Sequence, residues 1–216
     1  MLKAATIQEI NFLLERLPIL QPLQNNMIKS VEELVDTFAE GGKLLICGNG
    51  GSAADSLHIA GELMKSFAKK RPISEAIADR LRQAYPDTAE YYISNLQGAL
   101  PAISLVSEIA LMTAYGNDNT ADLIFAQQVF GYGKPNDALL AISTSGNSTN
   151  VVHAAKIAQI LGIKVISMTG DGGGQLKAFS DVLLDVPCHI TNQVQELHLP
   201  IYHTICLALE TELFEG

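Results

Sequence analysis

The sequence predicts an α/β protein built on a doubly wound, mostly parallel five-stranded sheet flanked by helices. Three observations carry this reading. Five short apolar runs, at residues 43–47, 102–105, 137–142, 164–168 and 182–186, have strand length and the unbroken hydrophobicity of strands buried on both faces. Helical spans separate them, which favours parallel pairing. Two of the runs end on glycine- or hydroxyl-rich turns, GNGGS after the first and STSGNS after the third, that open directly into a helix. Strand, turn and helix start together make an anion site out of backbone N–H groups.

The elements follow in order. Residues 1–40 read as a helical extension, two helices around Pro18 and Pro22, the second carrying Met27, Val31, Leu34, Val35 and Phe38 at helical period. Coming before any strand, it covers the sheet or packs on another subunit. The first strand leaves through Gly48-Asn49-Gly50-Gly51 into a helix for which Ser52 is the expected N-cap and Asp55 the acidic residue at the positive end. Four residues apart on that helix, His58 and Glu62 share a face just above the turn. Acid–base or metal chemistry beside a phosphate-sized pocket is one use of such a pair; a solvated helix pair is the other.

Residues 72–98 are polar, helical in pattern and broken at Pro86, and are expected as a helical insertion in two pieces. After the strand at 102–105, a helix near 107–114 leads to Gly116-Asn117-Asp118, and another spans about 121–130. The third strand ends on Ser143-Thr144-Ser145-Gly146-Asn147-Ser148, ahead of a helix at 151–161. Its hydroxyls and the free helix N–H groups can hold a phosphate without a lysine. One long helix, about 192–214, ends the chain and carries Gln195, Glu196, His198 and His203 on an apolar segment. His198 reads as a core histidine. Gln195 and His203, eight apart and roughly 80° around the helix, meet one ligand only if it lies alongside.

At 216 residues, a single domain over the whole chain is expected. A net charge of −9, with Lys69-Lys70-Arg71 as its one basic cluster, argues against nucleic acid. No apolar run reaches membrane-spanning length, and the amphipathic start resembles neither a secretory nor a transit peptide. Cys47, Cys188 and Cys206, odd in number and set among apolar neighbours, are expected as buried, reduced thiols in a cytoplasmic protein.

Taken together, CGNGGSAADSLHIAGEL, GND at 116–118, AISTSGNSTNVV and the QELH…H of the last helix resemble the sugar isomerase (SIS) family, and within it the phosphoheptose isomerases. The resemblance implies a homotetramer with sites at subunit interfaces that interconverts sedoheptulose 7-phosphate and D-glycero-D-manno-heptose 7-phosphate. By the same resemblance Asn49, Gly50, Gly51, Ser52, Asn117, Asp118 and Gln195 contact substrate, and Ser143, Thr144, Ser145 and Ser148 cradle its phosphate. Glu62 and His203 match the acid–base pair, and His58, Glu62, Gln195 and His203 the ligands of a zinc ion. Two departures stand out: Glu108 where the family generally carries Asp, and the insertion at 72–98. An isomerase of another sugar phosphate and a non-catalytic adaptor that binds a replication initiator are the rival readings; retention of all four His/Glu/Gln/His residues favours the enzyme.

Overall fold

The computed structural model describes residues 1–214, and its frame is a parallel sheet in which alternate residues of the central strands feed two separate cores. Strands β1 (Leu44–Cys47), β2 (Ala102–Ser104), β3 (Ala138–Ser143), β4 (Lys164–Thr169) and β5 (Val182–Asp185) pair in the order β2-β1-β3-β4-β5, all parallel. Leu44, Ile46, Leu140, Ile142, Ile166 and Met168 point to one face, where they meet α1 (Ala4–Arg16), α2 (Gln24–Ala39), α3 (Gly51–Met64) and α9 (Thr191–Leu213). Leu45, Cys47, Leu139, Ala141 and Val165 point to the other, under α7 (Ile124–Tyr132) and α8 (Thr149–Ile160). The period-two alternation of a strand thus divides a continuous apolar run between two helical layers.

Helices α4 (Glu75–Ala84) and α5 (Ala89–Asn95) form the two-piece segment expected at 72–98, and α6 (Ile109–Asp118) follows β2. Three local expectations are corrected. Gly116-Asn117-Asp118 is the last turn of α6, not a loop after it. The helix after the glycine turn begins at Gly51 with Gly50 as N-cap, so Ser52 lies inside its first turn, buried at 3% exposure. The two helices expected around Pro18 and Pro22 are α1 and α2, joined by a short 3₁₀ turn, Pro18–Leu23. Cys188 is only half-buried, whereas burial pushes the Cys47 and Cys206 thiols up to about 12; all three are free.

What locks α3 to α9 is a buried charge. Arg71, 1% exposed, directs Nε to Glu210 Oε1 at 2.7 Å, and its terminal nitrogens to the carbonyls of Leu63 at 2.8 Å and Glu62 at 3.3 Å. These are orphan acceptors at the end of α3, which a guanidinium fork suits. Glu210 accepts in addition from the N–H groups of Phe67, Ala68 and Lys69 at 2.8–2.9 Å. Burial alone would raise its carboxyl, but these N–H groups and Arg71 outweigh it and hold the group below the usual carboxylate range.

Replacing Arg71 by alanine leaves the Glu210 carboxylate buried without its cation and the end of α3 uncapped. Chemical denaturation is expected to register a loss of about 3–5 kcal/mol. A loss under about 1 kcal/mol, typical of surface pairs, would show that the pair does not hold these helices together.

Candidate functional site

In the order β2-β1-β3-β4-β5 the chain turns outward after β1 and returns on its other side at β3, so a crevice opens beyond the carboxyl ends of these two strands. Both motif-bearing turns lie there. The first turns sharply at Gly50, whose φ of 56° and ψ of −119° are costly for any residue with a Cβ. At Gly51 an added Cβ would collide with the side-chain amide of Gln195, which reaches down from α9. Asn49 and Asn150 exchange two amide hydrogen bonds, 2.8 and 3.0 Å, that clamp this turn to the start of α8.

Across the crevice, Ser148 is the N-cap residue of α8, with extended backbone and no side-chain bond to the helix. Its hydroxyl pairs instead with Ser143 Oγ at 2.9 Å. Ser145 accepts from Asn147 N–H at 3.1 Å and is exposed, Thr144 is half-buried, and both line an open cleft of about 360 Å³ with Asp171, Cys188 and His189. The hydroxyl-rich turn is therefore preformed and open to solvent at a helix N-terminus, where free N–H groups and the helix dipole favour an anion.

Two turns further along α3 lies the second half of the site. Helices α3 and α9 run parallel, because their contacts climb together from Gly51 against Gln195, through Asp55 and His58 against Tyr202, to the Arg71–Glu210 lock. His58 Nε2 stands 3.3 Å from Glu62 Oε1, and Glu62 Oε2 accepts from Lys65 at 2.9 Å. The His203 ring packs edge-on against His58, centroids 5.0 Å apart, and against Phe67 at 5.4 Å. Its Nε2 is buried without a partner. Burial, and then the neighbouring His58, lower its pKa below the usual histidine value, which favours the neutral imidazole.

The structure thus brings His58, Glu62 and His203 together, and sets Gln195 apart from them at the level of the glycine turn. Eight residues at 1.5 Å rise separate Gln195 from His203 by about 12 Å along the axis. Asn117 and Asp118 bond to one another at 3.0 Å on exposed α6, which packs chiefly on α7 and the 121–123 turn before it. Glu108, at the N-cap of α6, is likewise exposed. Three participants escaped the sequence reading: Asn150, Arg71 and Tyr202. Arg71 lies in the basic cluster Lys69-Lys70-Arg71 and Asn150 in the AISTSGNSTNVV motif, whereas no local signal marks Tyr202.

For a metal ion the preformed element is the His58–Glu62 edge. A tetrahedral ion with bonds of about 2.1 Å sets its donors about 3.4 Å apart, which the observed 3.3 Å matches, and the unpartnered His203 Nε2 lies beside it. Among the described residues no three His, Cys, Asp or Glu side chains already stand in metal-holding geometry.

The SIS domain family matches the chain over residues 7–102 and 97–170. The phosphoheptose isomerase of Synechocystis sp. is 40% identical over 188 residues, 87% of this chain and 84% of that protein. Among solved structures, the phosphoheptose isomerase of Neisseria gonorrhoeae superposes with a TM-score of 0.71 at 31% identity, covering 96% of this chain and 94% of that one. That of Francisella tularensis gives 0.72 at 30% identity, over 95% and 92%.

His198, one turn beyond Gln195, is the core residue expected, fully buried with Nε2 donating to Thr169 O at 3.1 Å and Nδ1 unpartnered. Burial brings its pKa down to about 4, against the backbone hydrogen bond that opposes the shift. Between pH 6.5 and 4 the unfolded chain takes up this proton and the folded chain does not, so stability falls as pH drops through that window and is unaffected by this group above it. The span corresponds to about 3 kcal/mol. In denaturation midpoints from pH 7.5 to 4, His198→Gln is expected to flatten this part of the slope; an identical slope in variant and parent would refute the assignment.

Proposed function

The chain belongs to the SIS domain family and is a sugar-phosphate isomerase of the phosphoheptose type, and from that premise we propose how its residues divide the work. It interconverts sedoheptulose 7-phosphate and D-glycero-D-manno-heptose 7-phosphate by moving a proton between C1 and C2 of the open chain through a cis-enediol. One observation carries the assignment of roles. The His58–Glu62 face of α3 and His203 of α9 meet two turns along α3 from the glycine turn, which Asn49 and Asn150 join to the hydroxyl-lined start of α8, so one ligand can present its phosphate at one end and its carbonyl at the other.

In this reading Ser143, Thr144, Ser145, Ser148 and the first N–H groups of α8 take the phosphate. Ser143 and Ser148 keep each other's hydroxyls aligned, and Ser145 donates outward. Asn49, Gly50 and Gly51 offer backbone and amide to the sugar, with Gln195 above them; Ser52, being buried, supports the turn from beneath. The Glu62 carboxylate removes the proton from one carbon and returns it to its neighbour. His203 Nε2, dry and neutral, exchanges a proton with the carbonyl oxygen and assists ring opening. Zinc is proposed at the His58 Nε2–Glu62 Oε1 edge, where it would stabilise negative charge developing on the enediol oxygen; His203, a ligand in the resemblance, is assigned here to the proton. Gln195, a fourth ligand in the resemblance, is assigned here to the sugar because its amide stands against Gly51.

The proposed assembly is a homotetramer. Helix α6 is apolar yet buries none of its residues, with Ile109 71% exposed, and it carries Asn117 and Asp118. A second copy covering α6 would bring these two residues to a neighbour's sugar site. Exposed Phe12 and Ile19 mark another apolar face at the helical extension. Free thiols and the absence of any helix long and apolar enough to cross a membrane among the described residues support the cytoplasm as its place of action.

Two measurements test this. Glu62→Gln keeps shape but removes the basic carboxylate, so turnover of sedoheptulose 7-phosphate is expected to fall by about 10²–10⁴-fold with little change in phosphate affinity. His203→Ala should lose comparable activity, and the double variant far less than the sum. Full additivity would separate the two residues. Light scattering at micromolar concentration is expected to give four chains, and Ile109→Asp to weaken the assembly together with turnover; a monomeric parent with full activity would contradict the shared site.

A further inference from the structure

We propose that Tyr202, held by Asp55, is a positioning residue that keeps the proton of His58 on Nδ1 and turns the Nε2 lone pair toward Glu62. The proposal rests on the zinc reading for its purpose, but its geometry stands independently. Tyr202 is 1% exposed, and its ring packs edge-on against both site histidines, centroids 5.6 Å from His58 and 4.9 Å from His203. Its hydroxyl has two neighbours, Asp55 Oδ1 at 3.3 Å and His58 Nδ1 at 3.0 Å.

A phenol has one proton to give. A carboxylate only accepts, so Tyr202 directed at His58 would leave two oxygen lone pairs facing each other at Asp55, in a half-buried position where such a mismatch is costly. With the proton directed at Asp55, the phenol oxygen is free to accept, and His58 Nδ1–H must be the donor. In the neutral ring Nε2 then carries a lone pair, 3.3 Å from an oxygen of Glu62 that also only accepts. Two acceptors converge, but at the end of this hydrogen-bonded chain where the His58 side chain is 43% exposed and water can bridge them, and a cation between them satisfies both. Without Tyr202 the opposite tautomer is favoured: Nε2–H donates to Glu62, and the donor pair for a metal is closed by its own hydrogen bond. Partners that fix the tautomer of a ligating histidine typically change metal affinity by about 10–100-fold when removed.

The motivating chain, Asp55–Tyr202–His58–Glu62, spans α3 and α9 and depends on their parallel register. Tyr202→Phe removes only the hydroxyl and keeps the packed ring. Long-range proton–nitrogen NMR on metal-free protein with labelled histidine is expected to show His58 protonated at Nδ1 in the parent and at Nε2 in Tyr202→Phe. Competition against a chromophoric chelator should show zinc bound about 10–100-fold more weakly by the variant. Asp55→Asn should move both readouts in the same direction, and it carries the test should Tyr202→Phe melt below the parent. An unchanged tautomer in both variants overturns the proposal. If the parent binds no zinc, the metal reading fails, and the tautomer alone then decides the role of Tyr202.

Discussion

The buried Arg71–Glu210 pair sets the register on which the chemistry depends. Glu62 and His203 are far apart in sequence and sit on different helices, each of which packs on the sheet through apolar residues that tolerate sliding. Apolar contact is non-directional. A guanidinium that bonds the Glu62 and Leu63 carbonyls and a Glu210 oxygen is directional, and it leaves one axial offset between α3 and α9. The same carboxylate gathers the N–H groups of residues 67–69, which places the Phe67 ring against His203. The lock and the proposed proton-transfer pair are thus one continuous structure. Removing either charge leaves the other stranded, whereas the intact pair need add little net stability. Its contribution is specificity of position.

The crevice at the other end is fixed by topology. Reversal of winding between β1 and β3 leaves space beyond their carboxyl ends. Asn49 and Asn150 close it from both sides with paired amide bonds. A phosphate bound here would be held by hydroxyls and helix N–H groups, in keeping with a chain whose net charge of −9 gives anions no long-range attraction. Recognition at short range has to be supplied by preformed dipoles, and Ser143 bonded to Ser148 is such a preformed pair.

The sheet, the two-piece segment at 72–98 and the His58–Glu62 face were legible in the sequence because each rests on local periodicity: strand alternation, helical spacing, a four-residue step. The glycine turn was legible for the same reason, although its cap was misplaced. Ser52 fitted a capping pattern, but the positive φ of Gly50 starts the helix earlier and turns Ser52 inward. What could not be read depends on contacts between distant segments. Arg71 sits in a Lys-Lys-Arg run that resembles a solvated surface, and only the fold shows that its partner is Glu210. Tyr202 looks like one more apolar residue of a buried helix until Asp55 and His58 are seen beside it. The axial separation of Gln195 from His203 follows from helical spacing, but that Gln195 stands against Gly51 is a contact between distant segments that no spacing rule supplies.

The central claim is that α3 and α9 meet so as to make Glu62 the group that moves the substrate's carbon-bound proton. The most direct measurement follows the C1 hydrogens of sedoheptulose 7-phosphate and the C2 hydrogen of the heptose 7-phosphate formed from it by NMR in deuterated water, with the parent protein and with Glu62→Gln. The account predicts that solvent deuterium enters these positions with the parent and that entry is all but abolished in the variant while the phosphate remains bound. Exchange at near the parent rate in Glu62→Gln would contradict it and reduce Glu62 to a structural residue.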